Sequence, residues 1–509
     1  MHEFVHSMKV KILDIEAGKM ISILNQKNAN EFGLMALDRI KISKKNGIEL
    51  HTPVDVTDSF VKPGEIGLFE DVARYLKVTN NSIVTVTPAE KPESVKAIRK
   101  KINNQKLNQQ ELLEIVKDIN SNHLSEIETA AFLTAVQING FDLDETVFMT
   151  NALIETGNKI DFGQKIILDK HSVGGTNGRA TMIVVPIIAA AGYMIPKTSS
   201  RSITSACGTA DAMEVLAPVS LSLKQLKDIT QKTGGVIAWG GAINLAPADD
   251  KIIKIEHPLS LDPKGQVIAS VMAKKASVGS KFLVIDLPVG PDTKIKNKID
   301  AEEIAFKFLE VGKKVGIKVE VVITDGTKPS GNAFGAALEA RLAMEILEGK
   351  KFDDLAKKSC ELAGALLELV GDCKQGQGYT KAKHLLESGK ALKKMHEIII
   401  AQGGKIVSSK KISEPKFKQI VYSQSAGTIK KINVKNCMEI ARTAGAPTDK
   451  EAGLVLFVEQ GNKIKKKSPI FELQANNKRK LELALNLLKG LPIIELEKNV
   501  IGKYYFKNN

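Results

Sequence analysis

Two stretches of the chain gather residue types that bind oxyanions. The first is Asp169–Lys170–His171–Ser172–Val173–Gly174–Gly175. It follows KIILDK, which reads as a strand, and precedes ATMIVVPIIAAAG, which reads as a buried helix. Backbone N–H groups in such a turn, and those of the helix start, point at an anion that the helix dipole also favours. Lys170 adds a cation and Ser172 a hydroxyl. The P-loop spacing is absent and Lys170 precedes the glycines, so nucleoside-triphosphate hydrolysis is not indicated. The second stretch runs from Ser199 to Asp211, after the strand MIPKTSS, and holds six hydroxyls and Arg201. Hydroxyls and amides bind oxyanions, and a guanidinium bridges two acceptors at once. Either stretch alone also describes a tight turn or a hydroxyl-rich helix cap. Two of them, after successive strands, point to a phosphate-like ligand.

The elements that must position these loops are legible around them. From Lys165 on, strands (KIILDK, MIPKTSS, GVIAWG, FLVIDLP, VEVVIT) alternate with helices expected at about 223–233, 301–316 and 335–349. That alternation predicts a parallel sheet covered by helices, with ligands at the C-terminal ends of its strands. Residues 1–88 alternate apolar and polar residues with little helical period and predict a β-rich domain, closed by the boundary PAEKPES. Residues 95–157 predict a small helical bundle. Asn108 with Glu111 and Ser125 with Glu128 read as capping boxes, Leu112, Ile115, Val116 and Ile119 form one stripe, and Gly140 and Gly157 close helices. Residues 415–509 predict a small α+β domain with one helix near 478–489. The fold class expected is therefore multidomain α/β.

Composition bounds the rest. A chain of 509 residues is long enough for two to four domains. With 43% hydrophobic and 26% charged residues it is not disordered. Cys207, Cys360, Cys373 and Cys437 form no CxxC pair, which argues against a disulfide scaffold and suits a reducing cytoplasm. No apolar run reaches the ~18 residues of a membrane span, and the N-terminus lacks a secretory h-region. Met8 is a candidate functional start. The net charge of +15 admits three readings: a polynucleotide partner, a small anionic substrate, or lysines solvated all over the surface. The cations are dispersed, and Trp239 is the sole tryptophan, so stacking platforms for single strands are poor.

The motifs taken together resemble the thymidine phosphorylase and pyrimidine-nucleoside phosphorylase family. Lys170-His171-Ser172-x-Gly174-Gly175 is similar to its phosphate loop. Ser199-x-Arg201, followed by Cys207-Gly208-Thr209-x-Asp211-x-x-Glu214, is similar to its second signature. Leu245–Asp249 (LAPAD) and Ala269-Ser270 with Lys274-Lys275 complete four ordered motifs, over roughly 90–505. The added domain at 1–88 resembles the longer branch of that family, which includes archaeal AMP phosphorylases and bacterial relatives labelled thymidine phosphorylase.

The resemblance implies phosphorolysis: inorganic phosphate attacks C1′ of a nucleoside, releasing the base and a sugar 1-phosphate. It places phosphate among Lys170, Ser172, Gly174, Gly175, Thr181, Ser199 and Thr209. It places the nucleoside or nucleotide among Gly174, Ser200, Arg201, Ser202, Ile203, Thr204, Ser205, Thr209, Ser270, Lys274 and Lys294. His171 and Asp262 are its two candidates for the proton partner of the leaving base. No metal and no cofactor beyond co-substrate phosphate is expected, and no covalent nucleophile, Cys207 included. The family also implies a homodimer or larger homo-oligomer, with no nucleic-acid or membrane partner. It divides the chain into 1–88, a helical domain of 92–160 plus 250–280, an α/β domain of 161–249 plus 281–410, and 415–509, with substrate in the cleft between helical and α/β lobes. Thymidine is the substrate first expected, and a nucleoside 5′-monophosphate such as AMP the alternative. One departure bears on that choice. Thymidine phosphorylases carry a thymine-holding arginine upstream of the Ser270 position, where this chain reads Lys254–Ile255–Glu256–His257–Pro258. A nucleic-acid-binding protein is the non-enzyme alternative. A phosphoribosyltransferase would need an acidic pair for magnesium–pyrophosphate beside the loop, and none is present there.

Overall fold

The computed structural model describes residues 6–497 apart from 17, 45–46, 175–176 and 203–204. It divides into two compact units, residues 1–158 with 246–273, and residues 159–245 with 274–509.

In the first unit six strands close a barrel. Their order is His6–Leu13, Glu65–Phe69, Ser22–Asn25, Glu49–Thr57, Arg39–Ser43 and Ile83–Pro88. Alternation drives it: Met8, Val10, Ile40, Ile42, Leu50, Ile66, Leu68, Val84 and Val86 all turn inward and are buried. Closure leaves no free strand edge. The helices Gln26–Phe32 and Glu70–Leu76 are seven residues each, too short to carry a readable period.

The bundle follows with helices Ser94–Ile102, Gln109–Asn120, Glu126–Asn139 and Leu143–Thr156. The Asn108/Glu111 and Ser125/Glu128 capping boxes form, and Asp142/Glu145 makes a third. The stripe Leu112, Ile115, Val116, Ile119 is buried in one core with Ala248 and Ile252 of the helix Pro247–Leu259 and Ala269 of the helix Lys264–Ser277. The chain thus leaves this unit after residue 158 and returns to it at residue 246.

The second unit is built on parallel strands. Lys318–Asp325, Phe282–Val289 and Leu168–Ser172 pair in that order, and Ile195–Ser199 pairs with Gly235–Trp239. A parallel bridge between Ile167 and Met194 joins the two ladders. The helix Thr181–Ala190 is buried over nearly its whole length. Helices Asp354–Leu369, Gly378–Glu387 and Lys390–Ala401 add to this core, where the sequence reading places none. In the C-terminal region Phe417–Tyr422, Pro469–Ala475 and Gly453–Leu456 form an antiparallel sheet. Among its described residues that region has two helices, Val434–Ala444 and Lys478–Leu487, where the sequence reading places one. The missed helix did have its signals: Asn433 caps it, and Val434, Cys437, Ile440, Ala441 and Ala444 are buried at helical spacing. Among the described residues no helix is long and apolar enough to cross a membrane.

Candidate active site

Parallel pairing brings the two polar loops side by side. Leu168–Ser172 lies between Phe282–Val289 and, through the Ile167–Met194 bridge, Ile195–Ser199, so the loops after Ser172 and Ser199 leave neighbouring strand ends. The strand runs two residues further than the sequence reading places it, so Lys170, His171 and Ser172 are sheet residues with fixed directions.

Lys170 is buried, and its ammonium faces the carboxylate of Asp286, 3.6 Å away on the adjacent strand. Its Nζ also donates to Ser172 Oγ, and Ser172 Oγ donates to Asp286 Oδ2. Asp286 further accepts from Thr324 Oγ1 at 2.5 Å and meets Lys358 Nζ at 3.1 Å. Burial pushes the Lys170 pKa down to about 8, with Lys358 and Arg179 adding to the fall and Asp286 opposing it. One strand position earlier, Asp169 faces Lys275 at 2.8 Å and Lys197 at 3.6 Å, all three buried. Burial holds Lys197 well below the usual lysine range, with Asp169 opposing the fall. His171 is enclosed by these groups. Burial first, then Lys275, Lys197, Lys170 and Lys274, hold its pKa well below the ordinary histidine value. It is a neutral imidazole at neutral pH, able to donate a hydrogen bond but not to act as an imidazolium.

The loop after Ser172 is pinned from outside. Asn177 Nδ2 donates to the carbonyls of Gly331 and Ala333, and Glu339 accepts from Gly178 N at 2.9 Å and Arg179 Nε at 2.6 Å. Gly174 has φ +69°, and a Cβ there would run into the Lys294 side chain, whose stem crosses the loop at this point. Gly174 is therefore required both for its turn and for close approach. Lys294 itself is exposed. Thr181 opens the helix that follows and is buried.

In the second loop Ser199 Oγ is buried with no hydrogen-bond partner among the described residues. An orphaned hydroxyl at a strand end is what an oxyanion site requires of its donors. Asp211 holds the loop by accepting from Ser202 N at 2.7 Å and Gly208 N at 2.8 Å. Ser202 Oγ donates to the Ser205 carbonyl, Ser200 is exposed, and Thr209 opens a short helix. Cys207 is buried, and burial raises its thiol pKa well above the ordinary value, so it is no nucleophile. Gly175, Ile203 and Thr204 lie outside the described residues.

Arg201 is bidentate, but to the protein. Its terminal nitrogens meet Glu214 at 2.8 and 2.5 Å and Asp211 at 3.3 Å, and its guanidinium lies 5.0 Å from the Trp239 ring. These contacts make it a frame for the loop. The Arg201 hydrogen bond, together with Lys450, holds Glu214 down at about 2. That contribution to stability is complete above the ordinary carboxyl pKa and is lost as pH falls through about 2. Arg201→Ala is expected to lower unfolding stability by about 2 kcal/mol, read as a fall in urea midpoint at neutral pH.

The remaining sequence candidates lie on 246–277. Ser270 and Lys274 share the helix Lys264–Ser277 at i and i+4. Ser270 Oγ donates to Asp249 Oδ2 at 2.6 Å. Asp262 is exposed in the turn before that helix, its backbone N–H donating to Gln137. Sequence reasoning missed Asp286, Thr324, Lys358, Lys197 and Glu339. Asp286, Thr324 and Lys197 lie in predicted strands, Glu339 in a predicted helix and Lys358 on the helix Asp354–Leu369, which has no counterpart in the sequence reading; none has a motif around it, and only strand register or helix packing brings it to the loops.

Comparison with known proteins agrees with this architecture. Residues 95–157 match the helical bundle domain, and residues 164–392 the a/b domain, of a glycosyl transferase family. The chain is 44% identical to the AMP phosphorylase of Methanococcoides burtonii, over 95% of this chain and 96% of that one. It is 44% identical to that of Thermococcus sibiricus, over 97% and 99%. With AMP phosphorylase 1 of Archaeoglobus fulgidus it shares 43%, over 93% and 94%. The anthranilate phosphoribosyltransferase of Thermus thermophilus superposes with a TM-score of 0.53 at 18% identity, covering 60% of this chain and 99% of that one, a likeness of fold.

Proposed function

Because the chain belongs to this glycosyl transferase family, and within it to the pyrimidine-nucleoside phosphorylases, we propose that it is a nucleoside 5′-monophosphate phosphorylase. Its reaction would convert AMP and phosphate into adenine and ribose 1,5-bisphosphate. Phosphorolysis by a pentosyltransferase is the activity of the family. The monophosphate substrate, where thymidine was first expected, is favoured by near-full-length identity to AMP phosphorylases.

The observation that carries the substrate reading is Lys294 laid across Gly174. A co-substrate phosphate needs Lys170, Ser172, Ser199, Thr181 and Thr209. A second cation against the same loop matches a second phosphate, that of the nucleotide. The missing thymine-holding arginine fits the same choice.

In the reaction a phosphate oxygen forms a bond to C1′ while the C1′–N bond breaks, and the departing base takes a proton. The transition state has oxocarbenium character, so positioning and electrostatic stabilisation supply most of the catalysis. Lys170 holds the dianion beside the cationic sugar. His171, as a neutral imidazole, orients substrate through a hydrogen bond. Asp262 takes the proton-donor role and Ser270 with Lys274 the reading of the base, on family resemblance.

Lys294→Met tests the substrate reading. It is expected to raise KM for AMP roughly tenfold, the equivalent of about 1.4 kcal/mol, and to leave KM for phosphate unchanged. An unchanged KM for AMP would exclude Lys294 as the ligand of the 5′-phosphate.

A further inference from the structure

Lys358 stands on the helix Asp354–Leu369, far in sequence from every phosphate motif, yet its ammonium reaches the carboxylate that holds Lys170 and Ser172. Two ammonium groups thus share one buried carboxylate, with Thr324 Oγ1 donating to its other oxygen. Lys358 is mostly buried and Asp286 almost fully so, hence neither charge is screened as on a surface. Alone with Asp286, Lys170 would be one half of a closed ion pair and would present little net charge to an anion.

We propose that Lys358 is a positioning residue of the phosphate site: it neutralises Asp286, so that the charge of Lys170 is surplus and available to inorganic phosphate. The proposal rests on the phosphate site assigned above but not on which nucleoside is cleaved. The neighbouring cluster makes the contrast. There Asp169 also faces two lysines, Lys275 at 2.8 Å and Lys197 at 3.6 Å, but burial disfavours the charge of Lys197, so less positive charge is left over beside that carboxylate. In the Lys358 cluster both carboxylate oxygens are also tied by hydroxyls, Ser172 on one and Thr324 on the other. Asp286 is therefore fixed in place, and changing the charge opposite it changes what Lys170 offers.

The test is calorimetric titration of the intact protein with inorganic phosphate, comparing wild type, Lys358→Met, Lys358→Arg and Lys358→Met/Asp286→Asn. Lys358→Met is expected to weaken phosphate binding at least tenfold with little loss of melting temperature, because it leaves a balanced Lys170–Asp286 pair. Lys358→Arg is expected to keep wild-type affinity. The double variant removes one charge of each sign, restores the surplus, and is expected to regain most of the lost affinity. The titratable groups around Lys170 are Asp286, Lys358 and Arg179, with Lys197 and His171 beside them. Losing Lys358 removes one of the cations that lower the Lys170 pKa. The pH at which phosphate binding fails should therefore move upward in Lys358→Met. Affinity within twofold of wild type in Lys358→Met would overturn the proposal. So would a double variant no tighter than Lys358→Met, or a fall in melting temperature with no shift in the pH profile. Base release by wild type, assayed in parallel, separates the two readings. If phosphate binds and the variants behave as stated but no base is released, the phosphorylase reading fails and this one stands.

Discussion

Lys170→Ala is expected to lower kcat/KM for phosphorolysis by roughly a thousandfold, about 4 kcal/mol of transition-state stabilisation. The ammonium is buried at the end of a strand whose direction is fixed on both sides, so no surface lysine can replace it. The fold should tolerate the change. Removing Lys170 leaves Asp286 with Lys358 at 3.1 Å and Thr324 at 2.5 Å, a neutral and hydrogen-bonded pair rather than an orphaned carboxylate. The loss is therefore catalytic, and a melting temperature close to wild type accompanies it. The pH dependence of the wild type should carry the same signature. Lys170 keeps its proton below about 8, so KM expressed as phosphate dianion is flat on that side and rises as pH climbs through that value. His171 contributes no limb near neutrality, because it is already neutral there. Steady-state kinetics with phosphate as the varied substrate, between pH 6 and 9.5, reads both effects. A Lys170→Ala enzyme within tenfold of wild type would remove the lysine from the site.

Asp262→Asn is expected to cut kcat by a factor of about 10² to 10³, the range of a general acid, with phosphate KM unchanged. A leaving purine anion needs a proton; His171, already neutral, offers only a hydrogen bond, and Asp262 is given the donor role on family resemblance. The chemistry supplies its own control. An N7-alkylated purine nucleotide departs as a neutral base without protonation, so the Asp262→Asn defect should shrink several-fold with such a substrate. His171→Asn should instead affect AMP and the alkylated analogue alike. A kcat for Asp262→Asn near that of wild type, together with a defect in His171→Asn that the alkylated purine relieves, would move the proton to the histidine.

What could be read from the sequence and what could not divide along a physical line. Capping boxes, alternation in the barrel and the strand–helix rhythm from Lys165 on depend on residues close in the chain, and those elements form as expected. The two polar loops were legible for the same reason. Asp286 and Lys358 were not. Asp286 sits inside FLVIDLP, where it reads as one polar residue in an apolar strand, and only pairing of Asp286 with Ser172 in the ladder gives it meaning. Lys358 is one lysine among many, on a helix that the sequence reading does not place. Arg201 was expected to order substrate, and its two carboxylate partners, ten and thirteen residues on, hold it to the protein. Of the +15 charge, which admits a polynucleotide on composition alone, the structure places Lys170 and Lys358 at one carboxylate and Lys294 across the loop.

A substrate panel decides whether this chain phosphorolyses a nucleoside monophosphate. Purified protein is incubated with phosphate and, in turn, AMP, CMP, thymidine and uridine, and free base is quantified. The proposed function requires adenine release from AMP that depends on phosphate and yields ribose 1,5-bisphosphate, with kcat/KM at least a hundredfold above that for thymidine. Thymine release from thymidine at a rate equal to or above adenine release from AMP would contradict it.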